Sequence, residues 1–222
     1  SVSNFQIKNI TYKKNSSKFD ILVSLPGKKK IVIRNFIIPL LGLHNVRNAT
    51  AAVAVTFIIG ISTKIIKKGL AKFKGVQRRF NKLFTYNNVE FFDDYAHHPT
   101  EIKEVLSGVK ESYKNQKIVC IFQPHRISRL KDLKDDFSKC FKNADEVVLC
   151  PLYTAGEKIS LGFKYDDFAK QISKNSKVNL FKVKDQNNLA KYIKNNIYGN
   201  KIVIGMGAGS ISNWMRNMPN LI

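Results

Sequence analysis

The chain has 222 residues, enough for one large or two small domains with a real core, and 44% of them are hydrophobic, which excludes a disordered polypeptide. Its formal net charge is +22, but the lysines are spread almost evenly and no helix-turn-helix, zinc-finger or RNA-recognition signature occurs. The charge therefore predicts weak phosphate attraction and no specific nucleic-acid partner.

Three short β-rich stretches, 5–12, 19–24 and 30–34, are separated by polar or Gly/Pro turns and predict strands. Gly42-Leu43-His44-Asn45 leads into an Ala-rich helix over 46–59, which Gly60 ends. A second helix over 62–73 follows, with Ser62 as N-cap, and Gly75 breaks the pattern. From residue 81 the chain alternates. Strands are predicted near 81–86, 89–93, 117–122, 146–150, 178–181 and 201–204, and helices near 100–112, 128–141, 165–173, 187–196 and 210–215. Apolar strands alternating with amphipathic helices predict an α/β domain, Rossmann-like, with a mostly parallel sheet covered by helices on both faces. The pattern divides the chain into 1–78, strands plus two helices, and 79–222. No apolar run approaches the ~20 residues of a membrane span. The stretch opened by Ser1 lacks the basic-then-apolar order of a signal peptide. Cys120, Cys140 and Cys150 are far apart and mostly in apolar runs; they read as reduced thiols of a cytoplasmic protein, without metal-ligand spacing.

Chemistry concentrates in a few words of the sequence. Asp93-Asp94-Tyr95-Ala96-His97-His98-Pro99 sets two carboxylates, a phenol and two imidazoles between a strand and a helix. The carboxyl ends of strands are where ligands sit in α/β sheets. Phe122-Gln123-Pro124-His125-Arg126-Ile127-Ser128-Arg129 likewise follows a strand. It is expected to place Arg126 and Arg129 on the first turn of a helix, where cations oppose the helix dipole and an anionic ligand explains them. Gly75-Val76-Gln77-Arg78-Arg79-Phe80 lies at the domain boundary. Most of the arginines and all four histidines (His44, His97, His98, His125) fall in such stretches, although lysine carries most of the charge. Arginine's planar fork suits bidentate grip of carboxylate or phosphate. Asn45 and Asn48 are three apart, so both amides can share one helical face and meet a purine edge; an ordinary N-cap and small-residue packing explain them equally. Glu157, in Tyr153-Thr154-Ala155-Gly156-Glu157, is expected to pair with a basic group or to be a polar loop residue. Gly205-Met206-Gly207-Ala208-Gly209-Ser210 reads as a tight turn with close helix packing, since no strand and acidic residue follow it.

Together the words GLHNVRNATAA, GVQRRF, DDYAHHPTEI, FQPHRISR, the Tyr153–Glu157 loop and GAGSI resemble the Mur ligases of bacterial cell-wall synthesis, in family order from about Pro39 to Ile211. The pair in Pro124-His125-Arg126 with Arg129 fits the alanine-adding members better than the murein-peptide ligases, which share the DDYAHHP-like word. Ile127 and Ser210 depart from the family pattern; Ser210 replaces an acidic residue and weakens any catalytic role for that loop. The family's P-loop, G-x-x-x-x-G-K-[ST], is missing: Gly27-Lys28 is followed by Lys29, with no glycine five residues earlier. The resemblance therefore implies the end of a central ATP-binding domain over 1–78 and a whole amino-acid-binding domain over 79–222, from a longer ligase and inactive alone.

What the resemblance implies is a cytoplasmic ATP-dependent ligase of peptidoglycan synthesis. ATP activates the carboxylate of UDP-N-acetylmuramate as an acyl phosphate, which the amine of L-alanine attacks. Asn45 is expected to hold the adenine with His44 and Asn48 nearby, Asp94 the ribose, and Arg79 the transferring phosphate. Arg126 and Arg129 are expected to grip alanine's carboxylate, with Tyr95, His97 and His125 shaping the pocket and an imidazole assisting proton loss. Arg79, His97 and His125 are the catalytic candidates, and the Mg2+ ligands lie mostly outside this chain. The alternatives are a murein-peptide ligase or a non-catalytic nucleotide- or partner-binding module.

Overall fold

The computed structural model describes residues 3–13, 16–73, 75–158 and 164–222; Ser1, which opens the polar amino-terminal stretch, lies outside them. The chain forms two compact units, Ser1–Val76 with Glu111–Tyr113, and Gln77–Lys110 with Lys114–Ile222.

In the first unit, β1 (Phe5–Lys13), β2 (Ser16–Val23) and β3 (Ile31–Ile38) make an antiparallel sheet in that order. The central strand β2 turns Phe19, Ile21 and Val23 inward, as alternation with period two requires. Against them pack Val46 and Val53 of α1 (Leu43–Ile58) and Ile66 of α2 (Thr63–Lys72). Helix α1 begins three residues before the expected start at 46. Gly42, at φ 89°, turns the chain into it, a conformation that glycine adopts without a Cβ penalty. On the outer side of this pair of helices Val55, Ile58 and Ile65 are each more than 60% exposed.

The second unit holds a six-stranded sheet in the order β4-β5-β9-β6-β7-β8, with α3 (Pro99–Ser112), α4 (Ile127–Asp132), α5 (Lys134–Lys139), α6 (Tyr165–Ser176), α7 (Gln186–Asn196) and α8 (Ile211–Asn217) between and after its strands. The strands are β4 (Asn81–Tyr86), β5 (Val89–Asp94), β6 (Lys117–Phe122), β7 (Glu146–Leu149), β8 (Asn179–Lys182) and β9 (Lys201–Met206). All pairings are parallel except β4 with β5. The exception has a local cause: only Asn87 and Asn88 join the two strands, both at positive φ, the geometry of a tight hairpin turn. Ile118 to Phe122 and Ile202 to Ile204 are fully buried, the continuous apolar run of strands covered on both faces. The mostly parallel α/β sheet read from the sequence is the sheet observed.

The helix expected over 128–141 is two helices. They meet at Leu133, whose φ of −115° and ψ of 26° offset the second from the first. Leu130 and Phe137 stay buried on either side, so the apolar period runs through the offset and conceals it from the sequence. Arg126 is the N-cap of α4, at φ 67°, and Arg129 is the third residue of that six-residue helix, so both stand at its amino end.

The last strand, β9, inserts between β5 and β6 and ends in the glycine loop. A Cβ on Gly205 would lie 2.5 Å from Met215 Cγ; on Gly207, at φ 147°, 2.7 Å from the Gln123 carbonyl oxygen; on Gly209, 2.6 Å from both Gln123 Oε1 and Tyr153 Cγ. This is the close packing predicted for the loop. Gly207→Ala is expected to destabilise the chain by about 1–3 kcal/mol through overpacking against backbone, read as a lowered urea midpoint with unchanged slope.

Candidate active site

The carboxyl ends of β5, β9, β6 and β7 lie side by side, and the loops that follow them carry the motif residues. After β5 the chain turns on Asp94. The carboxylate, 2% exposed, accepts the backbone N–H of Ala96 through Oδ1 (2.7 Å) and that of Phe80 through Oδ2 (2.8 Å). Tyr95 N–H returns to the Arg78 carbonyl (2.7 Å) and Gly207 N–H to the Asp94 carbonyl (3.2 Å). Burial pushes the Asp94 carboxyl up to about 6, against the pull of those two N–H groups and of Arg79.

From this turn a row of aromatic and cationic groups extends. The Arg78 guanidinium lies over the Tyr95 ring at 4.7 Å. Tyr95 meets His97 edge-on at 5.0 Å, His97 meets His125 at 5.9 Å, and His125 stacks on Tyr153 at 5.5 Å between ring centres. Arg129 Nη1 donates to His125 Nδ1 (3.4 Å). Burial, then the neighbouring charges of Arg129, His97 and Arg126, hold the His125 imidazole below its ordinary range, so it is neutral near pH 7. His97 is oriented from behind: Nδ1 lies 2.9 Å from the Tyr95 carbonyl oxygen and 3.5 Å from Glu101 Oε2.

Glu157 hydrogen-bonds Ser128, with the Arg126 charge a lesser influence. It accepts the backbone N–H of Ser128 (3.0 Å) and its hydroxyl (2.7 Å), which together hold its carboxyl below the usual range. An acidic group brought from 29 residues away thus serves the amino end of α4. Arg126 is exposed beside it. Its backbone N–H bonds the Tyr153 carbonyl (2.9 Å), and His125 pairs with Tyr153 in an isolated parallel bridge that prolongs the sheet edge.

The second unit therefore brings Tyr95, His97, His125 and Arg129 into one array, with Arg126 at its edge and Asp94 below it. Arg79, its backbone N–H on Asn81 Oδ1 (3.0 Å), enters through its charge on Asp94. His44, Asn45 and Asn48 belong to the first unit, at the start of α1. There the Asn45 amide donates to the Leu41 carbonyl (2.7 Å), and Asn48 is exposed. Four contributors had no role assigned from the sequence: Arg78, Asp93, Glu101 and Gln123. Asp93, fully buried, accepts the Ser212 hydroxyl (2.5 Å) and faces Arg78 and Arg216 at 3.8 and 3.9 Å. Its signal was present in the sequence as a second carboxylate at a strand end. Gln123 offered only its place between strand and proline.

The family model for the Mur ligase glutamate ligase domain matches residues 78–209. The chain belongs to the Mur ligases. A UDP-N-acetylmuramate–L-alanine ligase of Pelagibacter ubique (strain HTCC1062) is 66% identical over 99% of the chain and 47% of its own length, and one of Bartonella tribocorum is 39% identical over 96% and 45%. The crystal structure of UDP-N-acetylmuramate-alanine ligase from Thermotoga maritima matches with a TM-score of 0.76 at 28% identity, covering 99% of this chain and 46% of that one. A murein peptide ligase from Psychrobacter arcticus shares the fold, with a TM-score of 0.65 at 21% identity. The chain spans about half the length of the curated relatives it matches. Among the described residues no helix is long and apolar enough to cross a membrane.

The raised Asp94 carboxyl predicts a pH effect. A carboxyl with a higher value folded than unfolded favours the folded state below the unfolded value, near 3.8, and that contribution is lost as pH rises through about 6. The stability of the native chain relative to Asp94→Asn should therefore fall between pH 4 and 6 and level off above, measured by urea unfolding across that range.

Proposed function

We propose that this chain is the carboxyl-terminal half of an ATP-dependent ligase that joins L-alanine to UDP-N-acetylmuramate in cytoplasmic peptidoglycan synthesis. The observation that carries this reading is the array of Tyr95, His97, His125 and Arg129 beyond the carboxyl ends of β5 and β6. It occurs in a chain 66% identical to a relative of that name. On this reading residues 1–78 are the end of a central ATP-binding domain and 79–222 the amino-acid-binding domain. The exposed apolar side chains of α1 and α2 support the first part, since a complete domain ordinarily covers such a patch.

The reaction needs a carboxylate held, an ammonium made neutral and an acyl phosphate brought close, so positioning and charge dominate. Arg126 and Arg129 bind the alanine carboxylate. Tyr95 and Tyr153 wall the methyl side, and the two imidazoles face the nitrogen. ATP is a substrate here. Asn45, with His44 and Asn48, takes its adenine, Arg79 its transferring phosphate and Asp94 its ribose. Two of Asp94's roughly four lone-pair directions already serve the turn, which leaves acceptor capacity for a hydroxyl. On this reading the Mg2+ ligands lie mostly outside this chain.

L-Alanine titrated calorimetrically into the chain should bind, and Arg129→Ala should weaken it roughly 10- to 150-fold, the worth of a charged hydrogen bond. Unchanged affinity would reject the assignment, and preference for a free tripeptide with an amino-terminal alanine over alanine itself would favour a murein-peptide ligase. Mixed with ATP, L-alanine and UDP-N-acetylmuramate, the chain alone should release no ADP. Alanine-dependent ADP release would overturn the half-enzyme reading.

A further inference from the structure

We propose that His97 is the general base for the incoming amino acid, and that Glu101 and the Tyr95 carbonyl position it by fixing which ring nitrogen carries its lone pair. The inference rests on the ligase reading above and deepens it.

The two imidazoles of the array are held in opposite senses. A carbonyl oxygen can only accept, so the 2.9 Å contact from His97 Nδ1 to the Tyr95 carbonyl places hydrogen on Nδ1 and the neutral ring's lone pair on Nε2. A guanidinium can only donate, so the contact of Arg129 Nη1 with His125 Nδ1 uses the lone pair of His125 and places its hydrogen on Nε2. His125 is then a donor towards a bound ligand, and His97 the ring with basic capacity to spare.

The charges around them agree. His125 is surrounded by Arg129, His97 and Arg126, with Glu157 more distant in effect, and an imidazolium there is disfavoured. His97 faces His125, the Tyr95 ring capped by Arg78, and the Glu101 carboxylate from the first turn of the helix that follows it. That carboxylate is itself fixed, accepting the backbone N–H of His97 (3.2 Å) and of His98 (3.3 Å). A base that becomes a cation on taking a proton is better served beside an anchored anion than among cations.

The step balances without a further reagent. One N–H bond of the amino acid's ammonium breaks, its electron pair stays on nitrogen, and the proton passes to His97 Nε2. The amine so formed attacks the carbonyl carbon of the acyl phosphate; the C–O bond to phosphate breaks with its electron pair leaving on inorganic phosphate, which takes the second proton from nitrogen, and the imidazolium later returns its proton to water. Glu101 touches no substrate; it acts through His97.

Long-range 1H–15N correlation of the imidazoles in the 222-residue chain, at a pH where both are neutral, tests this. Hydrogen is expected on Nδ1 of His97 and on Nε2 of His125. Glu101→Gln should redistribute the His97 tautomers and leave His125 unmoved, and Arg129→Ala should do the reverse. Saturating L-alanine should shift Nε2 of His97. Exchanged tautomers, or an unmoved His97 Nε2 while calorimetry shows alanine bound, would overturn the assignment of the base and leave the ligase reading standing. Calorimetry showing no alanine binding at all would overturn the ligase reading, and the base with it.

Discussion

Between the ends of β6 and β9 the Gln123 side chain is enclosed at 3% exposure and bonded at both ends of its amide. Oε1 accepts the backbone N–H of Ile211 (3.0 Å), and Nε2 donates to the Ser210 hydroxyl (3.0 Å). Its own backbone N–H bonds the Met206 carbonyl (2.9 Å). A buried amide left unpaired would cost about 1–3 kcal/mol, so each of these bonds constrains the others. The bare glycines at 207 and 209 allow the approach: any side chain there would meet Gln123 or Tyr153. The mouth of the sheet is rigid because backbone and amide touch directly. The departure at Ser210 takes its meaning here, since the hydroxyl serves Gln123.

From that joint the site is built outward by short backbone bonds. Asp94 fastens the β5 turn to Phe80. The Arg78 Nη2 donates to the Gly207 carbonyl (2.6 Å), linking the segment before β4 to the loop after β9. His125 and Tyr153 bridge the loops after β6 and β7. The aromatic row thus rests on the ends of β5, β6 and β7. Arg78, Phe80 and Arg126 all sit at positive φ, a strained state for side chains of that size and one that the surrounding bonds must enforce.

Charge in the array is arranged against a strong background. In a chain of net charge +22, its carboxylates are each held by local donors: Asp94 and Glu157 by backbone N–H groups, Glu101 by two more, Asp93 by Ser212. Held this way, they orient their neighbours. The three cysteines, fully buried and driven far above the ordinary thiol range by burial, are filling, as their apolar surroundings suggested.

By itself the sequence determined the alternation of elements, the α/β class, the glycine loop as packing, and the words that carry the Mur ligase resemblance. Those properties are local: periodicity, turn residues and short motifs survive without knowledge of what lies across the sheet. The offset at Leu133 did not show, because one residue's change of φ leaves the apolar period intact. Only the tertiary structure decided that β9 returns between β5 and β6, bringing position 207 against 123. It also decided that Glu157 reaches Ser128, and that Arg129 turns back onto His125. Each of these joins residues far apart in the chain or depends on which way a side chain turns. Hydrogen-bond partners at that range are chosen by the packing of strands and helices, and no spacing in the sequence encodes them.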